Sequence, residues 1–119
     1  MDNGESRFGT YLKELIKTAG MTQFQFYTKL GIKKPYFYDI VSGRVKPPPY
    51  PLQFVAVKIL HIDEETKEKF FDIAAKERGD MPADISKIIA EHPEAISRIR
   101  NDLKNYVIEN QAGGGYENG

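Results

Sequence analysis

The sequence has no cysteine and no tryptophan. Without thiols there is no disulfide staple, no thiolate zinc site and no cysteine nucleophile, which suits a reducing cytoplasm. Long apolar runs are missing too: none approaches the roughly 20 residues that a membrane-spanning helix needs, so no membrane partner is expected. Met1 to Ser6 have neither the basic start nor the apolar stretch of a signal peptide, which predicts a protein that stays in the compartment where it is made. The only two histidines, His61 and His92, fall at expected helix boundaries with no metal-ligand spacing and no matched nucleophile. Boundary or capping roles account for them better. The acid clusters Glu64-Glu65-Glu68 and Glu91-Glu94 read as helix starts and solvent-facing charge. A phosphate loop and a nucleophile elbow are likewise lacking, so neither an enzyme, a cofactor nor a metal site is expected.

Acid is scarce in one half of the chain. Between Arg7 and Leu60, nine lysines and arginines stand against two acids, Glu14 and Asp39, a surplus of seven positive charges. From His61 onward thirteen acids outnumber eight bases, and Asp2 with Glu5 bring the total to zero. This asymmetry points to a polyanion as the partner of the first half, with the acidic half keeping the molecule soluble or meeting a protein. Uneven scatter of solvated charge is the plainer alternative. At 119 residues, the chain has the length of one domain with loose ends.

Apolar residues recur at helical spacing, and no alternating strand pattern or internal repeat breaks in. Phe8, Tyr11, Leu12, Leu15, Ile16 and Ala19 form the inner face of a first helix closed by Gly20, with Lys13, Glu14 and Lys17 outward. Thr22 caps a short second helix, Gln23 to Leu30, with Phe26, Tyr27 and Leu30 inward and Gly31 ending it. Pro35 suits the first turn of a third helix, in which Phe37 and Ile40 point inward before Gly43. Lys46 to Pro51 holds four prolines and reads as an extended connector rather than a ligand for a proline-rich recognition domain. Leu52, Val55, Ala56 and Ile59 mark a fourth helix, and Phe70, Phe71, Ile73 and Ala74 a fifth that ends at Gly79. Ile85, Ile88 and Ile89 share a face of a sixth, which His92-Pro93 breaks, and Ile96, Ile99, Leu103 and Val107 define a last amphipathic helix. Of the aromatic cluster Phe24, Phe26, Tyr27, Tyr36, Phe37 and Tyr38, most are expected in the core, Phe26 and Phe37 above all, with Tyr38 at the surface.

The stretch Met21 to Pro48 is the most informative. Thr22-Gln23 opens a helix, Phe26 is apolar, Leu30-Gly31-Ile32 makes the turn, and Tyr36-Phe37 with Ile40 lie in the next helix. Ser42-Gly43-Arg44 ends that helix before a proline. In this order and spacing the chain resembles the lambda-repressor-like, or XRE-type, helix-turn-helix regulators across about residues 8–60. Met81-Pro82-Ala83-Asp84-Ile85 through Pro93 and Arg100 also looks like a tail found on some members. Three positions depart from the pattern: Tyr27 where alanine is usual, Val41 where glutamate is usual, and Pro35 where a polar base reader is common.

The resemblance implies an all-α bundle of about five helices with one or two additional C-terminal helices. Residues 1–6 would be a flexible leader and 7–79 the DNA-binding domain, with 80–110 a helical extension whose apolar residues either serve dimerisation or complete one monomer's core, and 111–119 a disordered tail. It implies a double-stranded DNA-binding regulator, a repressor on a palindromic operator, as in bacterial chromosomes, prophages and mobile elements. Such a protein would be a cytoplasmic, nucleoid-associated homodimer, its helix at about 34–42 in the major groove. Lys34, Pro35, Tyr38 and Asp39 would meet bases, and Gln23, Lys33, Arg44 and Lys46 phosphates. Lys33 and Lys34 read equally as solvated loop residues, and Asp39 either accepts from a cytosine or pairs with a neighbouring lysine. The alternative is a protein-interaction module on the same fold, an antitoxin or adaptor whose acidic C-terminal half holds the partner.

Overall fold

The computed structural model describes residues 6–114, with side chains to Gln111. The leader's residues 1–5 and the tail's residues 115–119 lie outside the described residues. The fold is all-α, with no strand among the described residues: α1 Arg7–Thr18, α2 Gln23–Leu30, α3 Lys34–Ser42, α4 Tyr50–Leu60, α5 Glu64–Arg78, α6 Ala83–Glu91, a 3-10 turn Pro93–Ala95 and α7 Ile96–Gly114. None of these helices is long and apolar enough to cross a membrane. The chain divides into two compact units between Asp84 and Ile85.

In the first unit α1 packs on α2, α3 and α5, and α2 packs on α4. The core joins Phe8, Leu12 and Ile16 of α1 to Phe26 and Leu30 of α2, Phe37 and Ile40 of α3, Leu60 of α4 and Phe70 and Phe71 of α5. Each such side chain contributes about 1.5–3 kcal/mol by leaving water. The rings touch edge to face, Phe8 on Phe70 at 5.3 Å and Phe70 on Phe71 at 5.7 Å between centroids.

Several expectations need correction. Ser6, placed in the leader, is the N-cap of α1, its hydroxyl accepting from Gly9 N–H at 2.8 Å. Ala19 is exposed, because the helix has ended and it serves as C-cap. Tyr50 and Pro51 are the first turn of α4 rather than connector: helix-start N–H groups have no intrahelical acceptor, so a proline there loses nothing. On α4 the inward position is Gln53, not Val55, which stays 42% exposed. The Gln53 amide donates to the Pro48 carbonyl at 2.9 Å, and Arg78 Nη1 donates to the Pro47 carbonyl at 2.8 Å, so the proline segment is fastened to α4 and α5. His61 caps α4 in the left-handed region at φ 51°, and His92 precedes the 3-10 turn.

α6 begins in the first unit, where Ala83 is buried in the core, and the rest of it lies in the second unit with α7. Residues 111–114, expected within the tail, continue the helix. On α7, Ile96, Leu103, Tyr106 and Val107 are exposed, and Ile99 is half-buried.

Candidate functional site

The turn between α2 and α3 sets the site. Thr22 and Gln25 form a reciprocal capping box, Thr22 Oγ1 accepting from Gln25 N–H at 3.0 Å and Gln25 Oε1 from Thr22 N–H at 2.9 Å, so α2 starts at a defined residue. Gly31 ends it at φ 84°, a conformation that costs a residue with a Cβ roughly 1–2 kcal/mol. The N–H groups of Gly31 and Ile32 both donate to the Tyr27 carbonyl, at 3.0 and 3.1 Å. Lys33 is extended and caps α3, with Pro35 in its first turn.

Phe37, Ile40 and Val41 hold α3 to the core. Tyr27 fills the α2–α3 contact, 9% exposed and 5.3 Å from the Phe37 ring, with the exposed Phe24 edge-on at 5.6 Å. Of the aromatic cluster, Phe26, Tyr27 and Phe37 are buried and Tyr36 packs against the core, as expected of most of it, while Phe24 and Tyr38 are exposed. At the crossing of α1 with α3, a Cβ on Gly9 would lie 2.0 Å from the Val41 carbonyl oxygen, so only glycine admits the approach. Val41 is buried there at 5% exposure, where a glutamate would bring a charge against backbone.

With that side of α3 buried, the opposite side faces water. Lys33, Lys34 and Pro35 are exposed, as is Tyr38 at 44%. The Tyr38 hydroxyl donates to Gln23 Oε1 at 3.3 Å, joining the outer side of α3 to the first residue of α2. The Gln23 oxygen is thereby engaged, while its Nε2 amide keeps donor capacity. Lys34 Nζ stands 6.0 Å from the centre of the Tyr38 ring.

No family model, curated protein or solved structure matches this chain.

The site's character therefore rests on its own chemistry. Gln23, Lys34 and Tyr38 come together, with Lys33 and Pro35 adjoining them in the α3 first turn. Asp39 and Arg44 pair instead with one another, Oδ1 to Nη1 at 3.5 Å, with Arg44 74% exposed. An exposed pair of this kind contributes about 0–1 kcal/mol and parts readily. Lys46 is separate: its ammonium donates to the Arg78 carbonyl at the end of α5, 3.3 Å away. Arg78 in turn pairs with Asp80 at 2.8 Å.

Two cations beside the site escaped sequence reading. Lys13 and Lys17 of α1, with Glu14 between them and Thr10, Thr22 and Gln23 beside them, line a surface groove of about 490 Å³ between α1 and the start of α2. Their (i, i+4) spacing was the available signal, since it places both on one side of a helix. What the arrangement offers a ligand is a donor-rich, cationic surface: ammonium groups, an amide and a phenol, backed by an apolar core.

Proposed function

We propose that this chain is a sequence-specific binder of double-stranded DNA, a transcriptional repressor that lays α3 in the major groove of a palindromic operator. The reading takes the first unit as a lambda-repressor-like bundle with α2 and α3 as its helix-turn-helix. The Tyr38–Gln23 hydrogen bond carries it, because it sets the outer side of α3 beside the amino terminus of α2 among lysines. A groove about 12 Å wide admits one helix, and the donors along it suit base edges and phosphates.

Lys34 then donates to guanine O6 or N7, while Pro35 and Tyr38 meet thymine methyl groups. Asp39 accepts from cytosine N4 once Arg44 leaves it for a phosphate. Gln23 and Lys33 hold phosphates beside the positive end of α2, with Lys13 and Lys17 extending that footprint along α1. Lys46 joins them by exchanging the Arg78 carbonyl for a phosphate. One copy reads few bases, so two copies on half-sites about 34 Å apart give the specificity a repressor needs. The cytoplasm and its nucleoid are the setting this implies.

A second reading, a protein-binding adaptor, draws on the Asp39–Arg44 pair and the tethered Lys46, which take two cations out of the face presented to phosphate. Selection from random duplexes separates the two. A regulator enriches a palindrome and, with about six phosphate contacts, loses roughly a thousandfold in affinity between 50 and 200 mM salt. Absence of enrichment, with equal weak binding to scrambled duplexes, overturns the proposal in favour of the adaptor.

A further inference from the structure

The outer side of α3 has little to offer a base by way of hydrogen bonds. Pro35, exposed in the first turn, has a saturated ring and no N–H. Tyr38, one turn further on, is 44% exposed, and its hydroxyl donates to Gln23 Oε1 at 3.3 Å. That bond draws the hydroxyl toward α2 and leaves the ring as the exposed part of the side chain. Asp39 is half-buried, and its carboxylate faces Arg44 at 3.5 Å. Lys34 brings an ammonium, 6.0 Å from the centre of the Tyr38 ring.

In the major groove a base pair presents hydrogen-bond donors, acceptors and one apolar feature, the methyl group on C5 of thymine. Carbon surface reads that methyl by contact, and 5-methylcytosine carries the same group on the same atom. Pro35 and Tyr38 are three residues apart, so they share a side of α3 and lie about 4.5 Å apart along its axis. Successive bases of one strand are about 3.4 Å apart. The two side chains therefore match the methyl groups of two adjacent bases better than those of bases two steps apart.

We infer that the half-site read by α3 holds an adjacent pair of pyrimidines methylated at C5, with Pro35 on one methyl and Tyr38 on the next, and that these methyl groups set the preference at both positions. The inference rests on the regulator reading and deepens it by naming the base chemistry: thymine in ordinary DNA, 5-methylcytosine where cytosine has been methylated. Methylating a cytosine at either position then tightens binding while every hydrogen-bonding group of the base pair stays in place. The Tyr38–Gln23 bond serves this directly. A hydroxyl pressed against a methyl group would lose its partner in water, and the amide oxygen of Gln23 replaces that partner.

The probe is the duplex enriched from random sequences, titrated with the full chain. Replacing a thymine with deoxyuridine removes one methyl group and nothing else. Covering a methyl is worth about fourfold in an equilibrium constant, so two adjacent replacements in one half-site are expected to weaken binding about fifteenfold. Cytosine placed at one of the two positions and then exchanged for 5-methylcytosine should regain about fourfold, which separates the methyl from the rest of the base. Tyr38→Phe, which keeps the ring, should keep the deoxyuridine penalty, and Tyr38→Ala should erase it at one position. An enriched palindrome without adjacent thymines on either strand overturns the inference and leaves the operator reading standing. So does binding that stays within about twofold after every thymine is replaced, or a penalty that Tyr38→Ala leaves intact at both positions. Equal weak binding to all duplexes, with no enrichment, overturns the operator reading and the inference with it.

Discussion

Replacing Gly9 with alanine adds one methyl group at the point where α1 meets α3, and its consequence follows from three distances. The new Cβ would stand 2.0 Å from the Val41 carbonyl oxygen, 2.7 Å from its carbon and 2.8 Å from its Cα. All three are backbone, so no rotamer change relieves them. Ordinary contact begins near 3.4 Å, and reaching it requires the helices to part by about 1.4 Å. A close-packed interior resists such a shift, and overpacking costs about 1–3 kcal/mol, more where backbone must move. The same shift lengthens the 3.2 Å hydrogen bond from Ser6 N–H to that carbonyl. Alanine's better helix propensity returns about 1 kcal/mol. The net expectation is destabilisation by about 3 kcal/mol, a fall in Tm of about 10 °C or more, read by thermal and urea denaturation. Gly20→Ala is the control, since nothing lies within 4 Å of a Cβ there and only its φ of 75° is strained. Duplex affinity should fall with Gly9→Ala as well, because the crossing sets the tilt of α3. A Gly9→Ala protein melting within about 2 °C of the parent would refute the close approach, given the slope of a few degrees per kcal/mol.

Tyr27→Ala, although it installs the residue usual in helix-turn-helix regulators, should cost about 3–5 kcal/mol by emptying the space against Phe37, measured as a lowered urea midpoint. Lys34→Ala should weaken the selected duplex by about 1–3 kcal/mol and relax preference at one base pair, whereas Lys33→Ala should weaken all duplexes alike and lower the salt slope by about one. Asp39→Asn should release Arg44, steepen the salt slope and tighten binding to scrambled DNA in a fluorescence titration; unchanged binding would show that the pair has no part in the interface. The Asp63 carboxylate, N-cap of α5, accepts from Thr66 N–H at 2.8 Å and is held below its ordinary value chiefly by the hydrogen bonds to Thr66. Its folded pKa lies below the unfolded 3.8, so the stability it gives is present above that pH and is lost as pH falls through the folded value. Asp63→Asn should therefore flatten the acid limb of a plot of Tm against pH while leaving the neutral region nearly unchanged.

Helix positions were legible where glycine, proline and caps punctuate the chain: Gly31 and Gly43 end α2 and α3 at residues the sequence marks, and Thr22 and Asp63 begin helices as their side chains allow. The inner faces of α1 to α3 followed from apolar spacing. Gln53 was not legible, since a buried amide depends on a carbonyl five residues back that only the bent proline segment presents. Nor was Gly9, because a glycine inside a helix looks like a weakness until α3 is seen against it. At the candidate site the exposed members of α3 could be named from periodicity, but their partners could not: the Tyr38–Gln23 bond spans fifteen residues, and Lys46 turns to the far end of α5. Long side chains choose among acceptors that tertiary structure brings near, and periodicity says nothing of those.

The fastening of the proline segment has a consequence for how the molecule travels. Gln53 and Arg78 hold the carbonyls of Pro48 and Pro47, and Phe8 of α1 packs on Phe70 of α5, so the basic helices, the proline segment and α5 belong to one body rather than to two joined by a tether. Fixed spacing between its charges gives such a body one field rather than an average over many, and a polyanion nearby would meet the same pattern on every approach. In the proposed regulator the lysines of α1 and α3 would reach the duplex already arranged, and cutting Gln53 or Arg78 would free the proline segment without disturbing that arrangement.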